Sequence, residues 1–287
     1  MKRGFVFSLS TIAIMTFLVV FSVYYAEKSQ RNESHIMLMY ELEKASRIAD
    51  DISSDLNKII GVNVLVDTIS GTTINFSSKI PRKGNVKNKL LELQNFYYGG
   101  YSSKQNFLFE TDFNKLVDGQ AEILLSNGVE LNQDYALNKL RLLGVGANTN
   151  VTEMDINVNI NTSSVSKVAW DWNASGEVTV NINYADENVL NSVIDSGKLS
   201  LYQLEEYKFN FSVDPNDEFT IRFGNIDSNY GALEFVENIS NSSTEATISV
   251  SFTIPQNTDN TFVYYNADLN YNTSDFSLNK KIEIIQG

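Results

Sequence analysis

The chain has no cysteine, one histidine and three prolines in 287 residues. Without cysteine no disulfide can staple the fold, so stability must come from a buried core, which a chain of this length can build. The lone His35 follows an apolar N-terminal run, a poor place for a Ser-His-Asp or Cys-His nucleophile, which needs its histidine inside a folded pocket. Zinc is disfavoured on the same ground, since Cys and His are its usual ligands. There is no glycine-rich phosphate loop: Gly99-Gly100 lacks a neighbouring Lys-Ser/Thr, and Gly144-Val145-Gly146 lacks a third glycine. Positive charge is scarce as well. Residues 32–287 carry 18 Lys plus Arg against 34 Asp plus Glu, and so acidic a domain repels a phosphate backbone, which argues against nucleic acid as a partner.

What the chain does have is an uncharged run of 21 residues, Phe5 to Tyr25. As a helix it reaches about 31 Å, close to the hydrocarbon thickness of a bilayer. Lys2 and Arg3 precede it, while Glu27, Lys28, Arg31 and Glu33 cancel one another after it. The positive-inside bias therefore predicts a single-pass protein of the cell membrane, with its N-terminus cytoplasmic, lipid around residues 5–25 and the bulk of the chain extracellular. Tyr24 and Tyr25 fall at the expected interface. A cleaved secretory signal has a shorter apolar region and a small-x-small site, whereas Tyr24-Tyr25-Ala26 is bulky.

Neither proline nor glycine interrupts residues 5–60, so the helix is expected to continue beyond the bilayer and to cap at Gly61. Leu38, Leu42, Ala45, Ala49, Ile52, Leu56 and Ile59 make a heptad seam. Two readings follow for residues 26–61. The stretch is a stalk that self-assembles or meets envelope proteins, or it lays one face on its own ectodomain. The second is plainer, because the seam holds two alanines and spans only three heptads.

Lys2-Arg3-Gly4 followed by Phe5 resembles the leader of a type IV prepilin: a short basic segment, a glycine, then an apolar helix that opens on phenylalanine. A long helix, half in the membrane and half against a β-rich head, is also the pilin build. The resemblance covers about 60 N-terminal residues and implies processing between Gly4 and Phe5. Bacterial pilins place a glutamate at the fifth mature position, where this chain has Leu9. The resemblance is therefore to archaeal-type, pilin-like surface proteins rather than to a major pilin.

The predicted fold class is α+β: a membrane and stalk helix (1–25 and 26–61), a mixed α/β segment packing on the head (62–150), and an antiparallel β-sandwich head (151–287). Val62, Val64 and Val66, then Ser70-Gly71, then Ile74 and Phe76 read as a hairpin. Val86 to Tyr98 has helical spacing and ends at Gly99-Gly100; Tyr135 to Leu143 reads as a short helix closing at Gly144. Phe107 and Phe109 suggest a strand, as do Ile123 and Leu125 before the Asn127-Gly128 turn, and residues 144–150 read as a linker. From residue 151 the period is two, as in Ile156-Val158-Ile160, Val178-Val180-Ile182-Tyr184, Phe219-Ile221-Phe223 and Ile248-Val250-Phe252-Ile254. Such one-sided strands belong to a sheet with one wet face. Trp170 and Trp172 are expected to share a face as core anchors.

Few residues suggest chemistry. Glu205-Glu206 and Asp217-Glu218 are paired acids, but neighbours in a strand point to opposite faces, so neither pair brackets a glycosidic bond by itself. Asp214, Asn216, Asp217 and Glu218, or Asp227 and Asn229, are oxygen-rich clusters that a structural calcium ion would accept, though without EF-hand spacing. No other cofactor is expected. Nine Asn-x-Ser/Thr sequons offer glycosylation at Asn32, Asn75, Asn150, Asn161, Asn173, Asn210, Asn238, Asn241 and Asn272, only slightly more than the abundance of asparagine would give. The functional expectation is a non-enzymatic surface protein serving adhesion, assembly or envelope structure. The alternatives are a tethered ligand-binding subunit of an envelope complex and, less favoured, a carboxylate-based carbohydrate-active enzyme.

Overall fold

The computed structural model describes the chain except residues 1, 68–71, 81–85, 102–107, 119, 126–127, 135–136, 145–150, 173–174, 213–215, 241–242, 255–262, 273–276 and 284–287. For residues 2–13 and scattered strand positions it describes the backbone alone. The fold is α+β, with one long N-terminal helix and two sheets of mostly antiparallel strands. The chain divides into two units, Met1–Ile48 and Ala49–Gly287, and the division falls inside helix α1 (Lys2–Ile60).

In the first unit, every residue from Ile14 to Tyr25 is exposed, as are Ile36 to Tyr40 farther along. Among the described residues no helix is long and apolar enough to cross a membrane. Residues 5–13, the first part of the uncharged run, have side chains outside the described set. Glu43 and Arg47 form an i,i+4 ion pair at 2.6 Å, the kind of contact that supports an exposed helix.

In the second unit the last turns of α1 bury a stripe of Ala49, Ile52, Leu56 and Ile60. The Tyr97 hydroxyl donates to Asp55 at 3.3 Å, and the Tyr265 hydroxyl donates to Asn57. This end of the helix thus packs on the β-rich part of its own unit. Gly61 ends it at φ +67°, a conformation cheap only for glycine.

The strands begin with the hairpin β1 (Asn63–Asp67) and β2 (Thr72–Ile80). Helix α2 (Val86–Asn95) follows and passes into a π-helical turn, Phe96–Tyr101, which carries the chain through the glycines expected to stop it. Next come β3 (Leu108–Asp112), α3 (Asn114–Val117), β4 (Gln120–Leu125), β5 (Glu130–Asp134) and β6 (Lys139–Leu143). Then follow β7 (Glu153–Ile160), β8 (Ser166–Val168), β9 (Val178–Ala185) and β10 (Val193–Leu199). The last six are β11 (Glu205–Asn210), β12 (Glu218–Ile226), β13 (Asn229–Asn238), β14 (Ala246–Ile254), β15 (Val263–Asn272) and β16 (Ser277–Glu283).

One sheet has the order β1-β2-β14-β7-β9-β10; the other runs β16-β15-β4-β5-β6-β13-β12-β11-β8, with β3 on β15. The inner faces meet where Tyr184 of β9 stacks on Phe209 of β11, ring centroids 3.5 Å apart, and where Ser78 of β2 donates to Gln133 of β5 at 3.2 Å.

Three more expectations change. Residues 139–143 are strand β6, not the end of a helix: Leu140 and Leu142 are buried while Lys139, Arg141 and Leu143 alternate with them, and a turn with Asn138 at φ +49° folds the chain back from β5. The strands of 62–150 do not pack on a separate head. β1 and β2 extend the first sheet from β14, and β4–β6 fill the second between β15 and β13, since the one-sided faces of both stretches are buried together. One pair, β7 with β9, is parallel, because the chain crosses to the other sheet as β8 and returns in the same direction. The linker expected at 144–150 lies, apart from Gly144, outside the described residues.

Trp170 is buried, with its indole N–H donating to the Ile221 carbonyl at 3.3 Å. Trp172 meets it edge to face and donates to Asp195 at 3.0 Å. Trp170 is thus the core anchor, and Trp172 stands half-buried beside it.

Candidate functional site

Two outward faces carry polar side chains in register, and they differ in kind. On the second sheet a single cross-strand row runs Glu122, Asn132, Arg141, Glu234, Arg222 and Glu206 over β4, β5, β6, β13, β12 and β11. Cross-strand partners sit about 4.5–5.5 Å apart at Cβ, so opposite charges placed opposite one another pair directly. Glu234, in the middle, is only 1% exposed. Its carboxylate accepts from Arg141 Nε at 2.8 Å and from Arg222 Nη1 at 3.2 Å. Arg141 also reaches Asp227 at 2.7 Å, and Arg222 pairs with Glu206 at 2.8 Å, which Lys208 approaches at 3.1 Å.

Beside this row lies a pocket of about 400 Å³, with Lys115 of α3, Leu137 of the β5–β6 turn and Asp227 of the β12–β13 turn on its rim. Its acids are spoken for. Glu234 and Asp227 are held by Arg141, Asp134 accepts the Leu137 N–H at 3.0 Å, and Glu122 lies 3.6 Å from Lys115. Burial, then a hydrogen bond and repulsion from Glu130, raises the pKa of Glu122 above the usual carboxylate range.

The outward face of the first sheet is neutral by comparison. One row reads Asn63, Ser77, Ser249, Asn157, Asn183 and Ile194; the next reads Leu65, Asn75, Ser251, Asp155, Asn181 and Ser196. Asn181 donates to Asp155 at 2.7 Å and to Glu153 at 3.2 Å, and Asn183 donates to Asn157 Oδ1 at 3.2 Å. Between these strands and β10 is a shallow depression of about 610 Å³. The sequence shows the period of two here, but only the register reveals that the amides form rows.

The residues singled out from the sequence fall in several places. Of the first calcium candidates, Asp214 is outside the described residues. Asp217 spends both carboxylate oxygens on Ser240, accepting its N–H at 2.5 Å and its hydroxyl at 3.0 Å; those bonds, the backbone one foremost, hold its pKa below the usual carboxylate range. The carbonyl of Asn216 accepts from Asn238 at 2.7 Å, and Glu218 opens β12. In the second cluster Asp227 belongs to the Arg141 network, and the Asn229 amide bonds back to its carbonyl at 3.4 Å. Among the described residues no group of three or more His, Cys, Asp or Glu converges on a metal position. Of the paired acids, Glu206 is taken up by Arg222 and Lys208. His35 is exposed on α1.

Gly4 and Phe5 lie in the backbone of α1, with side chains outside the described set. Of the sequons, Asn150, Asn173 and Asn241 are outside the described residues. Asn32 is exposed on α1, and Asn75 is half-buried on β2. Asn161 is held at both ends of its amide, donating to the Ser243 carbonyl at 3.2 Å and accepting the Glu245 N–H at 2.7 Å. Asn210 donates to Ser166 at 2.9 Å, and Asn272 accepts from Ser277 at 2.5 Å.

Sequence reasoning missed Glu234. Strand β13 reads Ala232-Leu233-Glu234-Phe235 with all four buried, so the period of two is hidden. The available signal was a glutamate inside an apolar run, which a buried strand carries only if a cation meets it. No family model matches the chain, and no curated protein or solved structure matches it either.

Proposed function

We propose that the chain is a single-span surface protein of pilin-like build, anchored through residues 5–25 with its N-terminus in the cytoplasm. Its extracellular β-sandwich head then serves adhesion, assembly or envelope structure without catalysis. The observation that carries this reading is the exposed apolar run of α1. Every residue from Ile14 to Tyr25 is exposed, Phe17 at 67%. Contiguous apolar surface of this size marks a contact with lipid or protein, because leaving it in water costs about 25 cal/mol per Å². Residues 5–13 continue the uncharged run toward Lys2 and Arg3, and the balance of charge beyond residue 26 supports export of the rest.

The second exposed stretch, Ile36 to Tyr40, is apolar around the helix rather than on one stripe. A helix of that kind belongs inside a bundle, which supports contact with other copies or with envelope proteins. The non-catalytic part of the reading is supported by the acids of the second sheet, which are engaged by Arg141, Arg222, Lys115 and Lys208. Lipid, and no cofactor, is the partner this reading requires; a structural calcium ion remains compatible with it.

The test combines fractionation with N-terminal sequencing. The protein is expected to stay with membranes through a carbonate wash, to lose its head to protease added to intact cells, and to begin at Phe5 if the leader is processed. Recovery in a soluble, protease-protected fraction would end the proposal. Negative-stain microscopy then separates filaments from lone anchored subunits.

A further inference from the structure

We infer that the outward face of the first sheet binds neutral polysaccharide, through the amide rows of β7 and β9 and an apolar lip at β10. The inference names a ligand class for the adhesive head and rests on that reading. Its first support is chemical. A sugar hydroxyl both donates and accepts, and so does a carboxamide, which offers two N–H donors and a carbonyl acceptor. Asn157 and Asn183 are both exposed on adjacent strands, and the bond between them leaves the Asn183 carbonyl and the Asn157 amide nitrogen free to face outward. One row along, the bonds from Asn181 Nδ2 to Asp155 and Glu153 fix that amide and leave its carbonyl oxygen as an acceptor. Donors and acceptors are thus set on a rigid lattice with a strand spacing of about 4.8 Å, so few rotamers are lost on binding.

The second support is the lip. Ile194 is 90% exposed and stands directly across from Asn183 in the β9–β10 register, while Leu190 and Val189 are 88% and 82% exposed a few residues before it. An apolar side chain left in water beside a field of amides, as Ile194 is, suits a ligand that has hydroxyl edges and C–H faces at once. Other ligand classes fit less well. Asp155 and Glu153 outweigh Lys198, which shares the Glu153 row on β10, and so disfavour phosphate or another polyanion. The amides disfavour an apolar peptide, which would leave them unpaired.

The test is affinity electrophoresis and calorimetry of the full chain in detergent against soluble neutral polysaccharides (a mannan, a galactan and a glucan) beside an anionic one. At least one neutral polymer is expected to bind. Asn157→Ala with Asn183→Ala should weaken that binding at least tenfold, and so should Ile194→Asp, which changes a side chain that packs against almost nothing. Lys139→Ala, on the other sheet, should bind as the parent does. Binding of no neutral polymer, binding only of the anionic one, or a double variant and Ile194→Asp that both match the parent would each overturn the inference. Because location is measured separately, a surface protein that binds no sugar loses only this inference, whereas a protein found inside the cell loses the adhesive reading itself.

Discussion

Glu234 divides its carboxylate between two arginines of neighbouring strands, one oxygen toward Arg141 and the other toward Arg222 at 3.2 Å. The glutamate is buried, while the arginines keep about a quarter of their side chains in solvent. Removing one partner of such a set strands the others, which costs more than the set contributes as a whole. Glu234→Ala is therefore expected to destabilise the head by about 3 kcal/mol, the low end of the range for a broken buried pair. Replacing all three groups by apolar residues of similar volume should cost much less. Denaturant unfolding of the single and triple variants distinguishes the two outcomes.

The buried end of α1 makes a second prediction. Leu56 is fully buried, whereas Leu38 on the same heptad seam is 40% exposed. Leu56→Ala should cost about 2–5 kcal/mol, and Leu38→Ala under about 1 kcal/mol. Thermal melts of both variants check it. Equal losses would mean that the seam behaves as one continuous interface.

Glu237 gives a pH dependence. Burial raises its carboxyl pKa, and the hydrogen bonds from Ile239 N–H and Asn138 only partly offset this. A carboxyl that binds its proton more tightly when folded favours the native state at low pH, and that contribution is lost as pH rises through the raised folded pKa. Glu237→Gln removes the titration. Its melting temperature relative to the parent should therefore improve from pH 4 to pH 7, and a difference that stays flat would show that Glu237 does not titrate in this way. Asp217 has the opposite sign: its lowered pKa stabilises the fold above the unfolded value and fails as pH falls through the folded one.

Sequons should differ in occupancy. The amide nitrogens of Asn161 and Asn238 donate to the backbone carbonyls of Ser243 and Asn216 at 3.2 and 2.7 Å, so a transferase must break those bonds to reach them. Asn32 is exposed on α1. Glycopeptide mass spectrometry of protein from its native cells is expected to find sugar at Asn32 ahead of Asn161 or Asn238. The reverse order would mean that transfer precedes folding.

Much of the strand pattern was legible because alternation is local: Ile156-Val158-Ile160 and Ile248-Val250-Phe252 announce β7 and β14, which pair with one another. The last turns of α1 were legible for the same reason, since Ile52 and Leu56 repeat at helical spacing and are buried. What stayed hidden depends on distant partners. Lys139-Leu140-Arg141-Leu142-Leu143 suits a short helix until Asn138 turns the chain and β5 and β13 flank it. Strand β13 loses its alternation because Arg141 and Arg222 cover the face that would otherwise be wet. The amide rows are likewise set by register, which places Asn183 opposite Asn157 across a parallel pair that no local pattern predicts.

The pairing of β2 with β14 joins residues 72–80 to 246–254. A contact that spans most of the molecule forms late, because the intervening chain must first surrender its freedom. During synthesis the opening hairpin waits with one edge bare until nearly the whole polypeptide has emerged, and β4 waits in the same way for β15. Neither sheet can therefore be completed before β14 and β15 have been made.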